Sequence, residues 1–249
     1  PINGLAYVRP DELHQIFNFD LLIAPFDAKT LFRLVNNTIE MLKNVDAYPT
    51  WAISNHDSPR VASRLGAEEA RALALLLFAL PGSCYVYNGQ ELGLPDAEVA
   101  DIDRQDPSFL RTNGETKGRD GARVPMPWSG KKSPFGFSSG KPWLPLPTTW
   151  NELTVEIQSS NSDSSLSLYK RALSERAKLL GAHDFTWDVS KIDQGILGFS
   201  RGGIQVYLNS GDKPVKVQAS EIILSSSGAP TCENGELELI PRRAIWFKR

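Results

Sequence analysis

The chain has 249 residues, with 27 lysines and arginines against 29 aspartates and glutamates, and a formal net charge of −2. A nearly neutral chain lacks the basic surface that binds nucleic acid or anionic lipid, so neither partner is expected. Hydrophobic residues make up 41% of the chain, which is a globular composition and excludes a disordered protein. The length suits one large domain or two small ones.

Cysteine and histidine usage predicts a protein without a metal or cofactor site. Cys84 and Cys232 form no CxxC motif, and the three histidines have no zinc-ligand spacing. No glycine-rich phosphate loop and no GxSxG motif follows a predicted strand. Two isolated cysteines favour a cytoplasmic location. The longest apolar run, residues 72–80, is about half the length of a bilayer span, so no membrane segment is expected.

The first half of the chain alternates predicted strands with predicted helices. Short apolar and β-branched or aromatic runs predict buried strands at residues 14–22, 50–54 and 83–87. Apolar residues at helical spacing predict helices at 27–43, with Asp27 as N-cap, and at 67–80. Because each helix would cross over one sheet face, the strands should be parallel, as in an α/β protein.

The pattern changes after residue 95. Residues 95–150 show no sustained period and predict a long loop, which four aromatic residues should hold in an ordered, packed state: Trp128, Phe135, Phe137 and Trp143. A helix is predicted at 166–180, with Gly181 ending it. Short strand-like runs separated by turn signals follow, at 196–200, 204–209, 215–217, 221–224 and 244–247. We therefore predict a first domain at 1–181 and a small antiparallel β domain at 182–249.

Two groups of polar residues follow predicted strands directly. Asn55, His56 and Asp57 come after the strand at 50–54, where parallel α/β proteins place their functional groups. A histidine and an aspartate there can bind sugar hydroxyls or hold a proton, whereas the alternative is that Asp57 only caps a turn. Glu91, in the segment 87–93, can clamp a neighbouring arginine, and the glycines around it are equally typical of turns.

A third polar group lies inside the long loop. Arg119, Asp120 and Arg123 bring two guanidinium groups around a carboxylate. They can pair with one another, or they can reach substrate hydroxyls with the planar donor fork of arginine. Residue types alone leave both interpretations open.

Taken in order, these motifs resemble the C-terminal half of α-glucosidases of the α-amylase superfamily, near the oligo-1,6-glucosidase and actinobacterial α-glucosidase branches. The matching stretches are YVRPDELH at 7–14, NHD at 55–57, YNGQELG at 87–93, GRDGAR at 118–123 and VPMPW at 124–128. The resemblance implies a (β/α)8 TIM barrel, of which this chain contributes strands 6 to 8, followed by a small antiparallel β-sandwich. Several ordered motifs are more specific than any one alone.

The resemblance also assigns roles to the polar residues. Asp57 matches the third carboxylate of the family, which stabilises the distorted glucose ring of the transition state, and His56 would bind the same sugar. Arg119 would contact the sugar on the leaving-group side, with Arg123 and Asp120 as further substrate-binding residues. Asn55 and Glu91 would support them. Interactions that tighten only in the distorted ring accelerate the reaction, so loss of Asp57 should lower turnover and not only binding.

The nucleophile and general acid of the family are expected outside this chain, because it contains no GFRxDxA and no GExW pattern. Gln90, Val124 and Pro127 also depart from the family's usual residues. We therefore predict a fragment of a retaining α-glucosidase that acts on α-linked oligosaccharides but is inactive alone. The missing N-terminal part of the barrel, or another copy, would cover the cut barrel face. Alternatives are a non-catalytic binding or chaperone subunit and a transglycosylating relative, such as a sucrose isomerase or trehalose-forming enzyme.

Overall fold

A computed structural model describes residues 6–9, 11–43, 47–228, 230 and 232–248. Pro10 of the first matching stretch, and residues 1 and 249 at the ends of the predicted domains, lie outside the described residues. Helices among the described residues are Ala28–Lys43 (α1), Val61–Leu65 (α2), Ala67–Ala79 (α3), Pro107–Arg111 (α4), Val155–Ser159 (α5) and Ser165–Lys178 (α6). None of these is long and apolar enough to cross a membrane.

The strands are mostly short. They are Thr50–Ala52 (β1), Ser83–Tyr85 (β2), Phe185–Asp188 (β3), Ile196–Arg201 (β4), Ile204–Asn209 (β5), Val215–Gln218 (β6), Ile222–Ser225 (β7), Cys232–Glu233 (β8), Glu236–Leu239 (β9) and Arg243–Lys248 (β10). The chain divides into two compact units: a first unit of Pro1–Ile53, Glu68–Tyr85 and Lys170–Arg249, and a second unit of Ser54–Ala67 and Val86–Tyr169.

The first unit contains the predicted parallel strand pair. β1 and β2 run parallel, with Thr50 opposite Ser83. Asp27 caps α1, because its carboxylate accepts a hydrogen bond of 2.8 Å from the backbone N–H of Thr30. The predicted helices at 27–43 and 67–80 are therefore present as α1 and α3.

The predicted strand at 14–22 does not form. Asn18 instead starts a turn in which its side chain accepts a hydrogen bond from the N–H of Asp20, and Leu22 donates to the carbonyl of Phe19. The Thr50 hydroxyl of β1 donates to the carbonyl of Ile16 at 2.5 Å. Backbone groups that a strand would use to pair with its neighbour are thus hydrogen-bonded within the turn and to the Thr50 hydroxyl.

The helix α3 is buried along almost its whole length, from Ala70 onward. Its C-terminal end is bonded by two arginines from later in the chain. Arg176 Nη1 donates to the carbonyls of Phe78 and Leu80, and Arg201 Nη1 donates to those of Ala79 and Leu80. Cations at this end of a helix satisfy carbonyls that have no partner within the helix.

The C-terminal strands form two antiparallel sheets. Five strands pair in the order β3-β4-β5-β10-β7, and three pair in the order β6-β9-β8. Side chains from both sheets share one apolar core: Ile196, Val215, Val217, Ala219, Leu237, Leu239, Ile245 and Phe247. The five strands expected from the sequence are present, whereas β3, β8 and β9 were not predicted. The domain boundary at 181 stays a prediction.

The second unit is built around the long loop, which is ordered as predicted. Its core contains mainly aliphatic side chains: Leu92, Leu94, Ala97, Val99, Val124, Met126, Phe135, Leu144, Leu146, Trp150 and Leu166. Of the four aromatic residues expected to hold the loop, only Phe135 is buried, whereas Trp128, Phe137 and Trp143 are exposed. Aliphatic residues and Trp150 therefore supply the packing that was assigned to these aromatics.

Candidate active site

Asp57 lies in a turn that follows β1 and is shaped by Asn55. The side-chain oxygen of Asn55 accepts hydrogen bonds from the backbone N–H groups of Asp57 and Ser58, each at 3.0 Å. Such a turn closes over its own backbone through a short polar side chain. Asn55 therefore shapes the turn that carries Asp57, and its supporting role in the site stays a prediction.

The carboxylate of Asp57 is the centre of a charged cluster in the second unit. Its Oδ1 accepts hydrogen bonds of 2.8 Å from Arg119 Nη1 and of 2.8 Å from Arg123 Nη2. His56 Nε2 lies 3.4 Å from the other oxygen, Oδ2. The Asp57 side chain is still 49% exposed. The structure thus brings four of the predicted site residues together around an accessible carboxylate.

The surroundings keep Asp57 ionised. Partial desolvation raises the pKa of Asp57, but the hydrogen bond from Arg119, the charge of His56 and the hydrogen bond from Arg123 together outweigh it. The net result is a lowered pKa for the Asp57 carboxyl. At neutral pH this group is therefore an acceptor and a negative charge, not a proton donor.

Arg119 also donates hydrogen bonds to Asp106, a residue that the sequence did not indicate as part of the site. The Asp106 Oδ2 accepts hydrogen bonds from Arg119 Nε at 2.7 Å and from the Arg119 backbone N–H at 2.9 Å. The Asp106 side chain is completely buried. The sequence did offer one signal for Asp106: an aspartate directly before a proline is typical of a helix N-cap. Asp106 indeed caps α4, because its carboxylate accepts a hydrogen bond from the N–H of Ser108.

Asp120 does not occupy the position expected of a substrate-binding residue. It is buried, and its Oδ2 accepts hydrogen bonds from the backbone N–H groups of Gln105 at 2.8 Å and Asp106 at 3.0 Å. A carboxylate that is out of contact with solvent and bonded to backbone amides positions its loop. The prediction of a direct substrate contact does not fit this placement.

A buried arginine, Arg60, joins the three motifs of the second unit. Its guanidinium donates to the carbonyl of Asn88 at 2.7 Å and to that of Ala122 at 2.9 Å, and lies 4.8 Å from the centre of the Tyr87 ring. The Tyr87 hydroxyl donates to the same Ala122 carbonyl. Arg123, one residue further, donates from Nε to the carbonyl of His56 at 2.9 Å. These bonds tie the segments that carry Asn55, Glu91 and Arg119 to one another.

With this geometry in place, comparison with known proteins assigns the family. The profile of the alpha-amylase catalytic domain matches residues 7–181, which is more than half of the chain. The chain belongs to the α-amylase family. The matched range contains Asp57, Arg119 and every other residue of the cluster.

Among the curated relatives, a probable alpha-glucosidase of Rhizobium meliloti (strain 1021) is 36% identical in an alignment of 177 positions that covers 67% of this chain and 31% of that protein. A probable oligo-1,6-glucosidase 2 of Bacillus subtilis (strain 168) is 28% identical, over 71% of this chain and 38% of that protein. The chain therefore spans about a third of the length of these curated relatives.

Two solved structures show the same fold. The alpha-glucosyl transfer enzyme XgtA is 30% identical and superposes with a TM-score of 0.81, over 99% of this chain and 48% of that one. The trehalulose synthase MutB of Pseudomonas mesoacidophila MX-45 is 22% identical with a TM-score of 0.81, over 100% of this chain and 53% of that one. The likeness to MutB concerns the fold alone.

Glu91 of this α-amylase family chain is placed near the buried arginine. Burial lowers the pKa of the Arg60 guanidinium, and Tyr87, Asp96 and Glu91 act on that pKa in the opposite direction. Within the described residues, Glu91 Oε2 is buried and has no hydrogen-bond partner. Gly89 and Gly93, on either side, have positive φ angles of 84° and 67° and form the tight turns that the motif predicted. No group of histidine, cysteine, aspartate and glutamate among the described residues could hold a metal ion.

Proposed function

We propose that this chain is the part of a retaining α-glucosidase that supplies the third carboxylate and substrate contacts of the active site. The observation that carries this proposal is the position of Asp57, an accessible and ionised carboxylate that lies between two guanidinium groups and an imidazole. The names of the alpha-glucosidase and oligo-1,6-glucosidase relatives support the substrate class. The substrate would be an oligosaccharide that ends in an α-linked glucose.

Asp57 would act on the glucose ring and not on the bond that breaks. Its Oδ1 is bonded to Arg119 and Arg123, so Oδ2 is the oxygen with capacity to accept a hydrogen bond from a sugar hydroxyl. A retaining glycosidase passes through an oxocarbenium-like transition state with a distorted ring. A carboxylate whose bond to the ring hydroxyls shortens as the ring distorts would stabilise that state more than the bound substrate.

Neighbouring residues would complete the sugar contacts. His56, with its imidazole beside Oδ2, would donate to a hydroxyl of the same sugar, and Arg119 and Arg123 are accessible enough to donate to the sugar on the leaving-group side. Asn55 and Asp120 would position the turn and the loop that carry them. No metal or cofactor enters this proposal.

The nucleophile and the general acid would come from residues outside these 249. The absence of GFRxDxA and GExW patterns supports this, as does the match to only about a third of the curated relatives. In the corresponding (β/α)8 barrel, residues 14–22, β1 and β2 would take the sixth, seventh and eighth strand positions. Residues 182–249 would form the β-sandwich, and the shared core of the two antiparallel sheets supports that assignment.

An exposed aromatic surface supports the idea that another part of a barrel covers the first unit. The rings of Phe17 and Tyr85 contact each other at a centroid distance of 5.0 Å, yet they are 60% and 42% exposed. Among the described residues, β1 and β2 pair only with each other. Open strand edges beside exposed rings attract further protein. We propose that the N-terminal part of the barrel, or a second copy, covers this surface. The cytoplasmic location stays a prediction.

Glucosyl transfer is a second candidate, because the chain superposes on an alpha-glucosyl transfer enzyme with 30% identity. A transfer reaction and a hydrolysis share the covalent glucosyl intermediate and differ only in whether a sugar or water attacks it. The products distinguish the two reactions. Free glucose alone indicates hydrolysis, whereas new di- or trisaccharides indicate transfer.

Two measurements test the proposed function. The 249-residue chain alone should not hydrolyse an aryl α-glucoside, because two of the three carboxylates are absent. A chimera in which residues 7–181 replace the matching segment of the Rhizobium alpha-glucosidase should hydrolyse it, and D57N in that chimera should lower kcat by about 10²- to 10³-fold, the range of losing one strong transition-state interaction. Circular dichroism of both chimeras checks that they fold alike.

Three outcomes would contradict the proposal. Hydrolysis by the isolated chain at the rate of a complete enzyme would show that the chain supplies its own nucleophile and general acid. A folded chimera that keeps its full kcat after D57N would show that Asp57 is not the third carboxylate. A folded chimera that binds maltose but is inactive, with or without D57N, would favour a non-catalytic binding subunit.

A further inference from the structure

Asp106 and Asp57 hold Arg119 from opposite sides. Asp106 Oδ2 accepts from Arg119 Nε at 2.7 Å and from its backbone N–H at 2.9 Å, and Arg119 Nη1 is left to donate to Asp57 Oδ1 at 2.8 Å. The Asp106 side chain is completely buried, whereas the Arg119 side chain is 42% exposed. The buried carboxylate thus anchors an otherwise mobile and exposed side chain.

The loop backbone is shaped to bring these two residues together. Gly118 has a φ of 71°, and a Cβ atom built on it would lie 2.7 Å from the Cβ of Asp106. Asp120, the residue after Arg119, accepts the backbone N–H of Asp106 at 3.0 Å. Three consecutive residues therefore contact Asp106 or leave room for it, which a capping role for α4 alone does not require.

We propose that Asp106 is the positioning residue that fixes the guanidinium of Arg119 on Oδ1 of Asp57, and thereby leaves Oδ2 as the oxygen that a sugar hydroxyl meets. Without Asp106, Arg119 would be a long exposed side chain with many rotamers, and Asp57 would lose one of its two guanidinium partners. The relevance to sugar binding rests on the proposed function, but the positioning itself is a property of this chain.

Two other roles for Asp106 make different predictions. As a mere helix cap, Asp106 would matter only through its bond to Ser108. As a mere negative charge near Asp57, it would raise the pKa of Asp57, so its removal would lower that pKa. As a positioning residue it lowers the pKa of Asp57 by holding Arg119 in place, so its removal would raise that pKa. The sign of the change therefore separates the last two roles.

The test is a titration of the Asp57 carboxyl carbon by ¹³C NMR in the 249-residue chain, with D57N used for assignment. In D106N the amide oxygen can still cap Ser108, but the amide nitrogen cannot accept from Arg119. We expect D106N to raise the pKa of Asp57 by about one unit, the size of losing one close opposite charge. The charged and titratable groups that face Asp57 are His56, Arg119, Arg123 and Tyr87.

Two further variants complete the test. R119K keeps the positive charge but cannot bond both carboxylates, so it should raise the pKa of Asp57 as D106N does, and the double variant should add little to either change. S108A is the matched control, because it removes a cap contact of Asp106 and leaves Oδ2 untouched. S108A should leave the pKa of Asp57 unchanged.

The inference is wrong if D106N leaves the pKa of Asp57 unchanged or lowers it. If D106N does not fold, an unchanged pKa in R119K overturns the inference by itself. These outcomes are independent of the activity test. A raised pKa of Asp57 in D106N together with a D57N chimera that keeps full activity would reject the proposed function and keep the positioning role. An unchanged or lowered pKa of Asp57 in D106N together with a D57N chimera that loses activity would reject the positioning role and keep the proposed function.

Discussion

Asp57 shows how a single side chain acquires its properties from residues far away in sequence. The turn around it is local, because Asn55 bonds the N–H groups of Asp57 and Ser58. Its charge state, by contrast, depends on Arg119 and Arg123, which are more than sixty positions later. An exposed aspartate in a turn would otherwise titrate as an ordinary carboxyl.

Asp106 should also make folding stability depend on pH. The hydrogen bond from Arg119, followed by those from the N–H and hydroxyl of Ser108, lowers the pKa of Asp106 far below its ordinary value. Because the folded-state pKa lies below that of the unfolded chain, this stabilisation is present above about pH 4 and is lost as the pH falls below that value. Urea unfolding at pH 6 and pH 3 measures it.

We expect D106N to be less stable than the unmodified chain at pH 6 and closer to it at pH 3. The difference should shrink because at pH 3 the unfolded chain binds a proton at Asp106, whereas the folded chain keeps this carboxylate ionised, so the free energy of unfolding of the unmodified chain falls. A difference in the free energy of unfolding that is the same at both pH values would contradict this prediction.

At the scale of elements, local signals predicted α1 and α3 but could not predict how α3 ends. The Pro81-Gly82 pair marks the stop in the sequence. The carbonyls at that end, however, are bonded by Arg176 and Arg201, which belong to α6 and β4. Residues about a hundred positions apart meet only in the folded chain, so no window of sequence carries this information.

Replacing Arg201 with methionine should destabilise the chain. Arg201 is buried and donates to the carbonyls of Ala79 at 3.1 Å and Leu179 at 3.1 Å, so R201M leaves buried acceptors without donors. Each such group costs about 1–3 kcal/mol, and we expect a loss of about 3 kcal/mol in the free energy of unfolding by urea.

The matched control is R33M, because Arg33 is exposed on α1. R33M should change the free energy of unfolding by less than about 0.5 kcal/mol. Equal losses in the two variants would mean that the buried carbonyl contacts of Arg201 do not stabilise the end of α3.

The failed strand at residues 14–22 illustrates the limit of pattern reading at this scale. Apolar and aromatic residues there are typical of a buried strand, yet Phe17 and Phe19 are exposed and Asn18 starts a turn. A strand needs a partner ladder as well as a suitable composition. Composition alone could not show that the backbone of this segment forms hydrogen bonds within a turn and with the Thr50 hydroxyl.

At the scale of the whole molecule, the exposed rings of Phe17 and Tyr85 predict association. We expect the isolated chain to form concentration-dependent dimers or larger species in sedimentation velocity, because unpaired strand edges and exposed aromatic rings favour association with another protein surface. F17S should shift the distribution toward monomer. L110S is the control, since Leu110 is 64% exposed and lies in the other unit, and it should not shift it.

A chain that stays monomeric at all concentrations, with or without F17S, would contradict this prediction. It would mean that the exposed rings do not form an interface. Equal effects of F17S and L110S would show that association follows general surface hydrophobicity and not the first unit's aromatic surface.

The sequence by itself predicted the family, the parallel strand pair and the main helices, and it identified Asp57, His56, Arg119 and Arg123 as candidate site residues. These follow from local periodicity and from ordered motifs, which are properties of short segments. The tertiary structure decided what those residues contact. It showed that Asp120 is buried and that Asp106 and Arg60 hold the site together, because hydrogen bonds between distant segments form only when packing brings their donors and acceptors within about 3 Å.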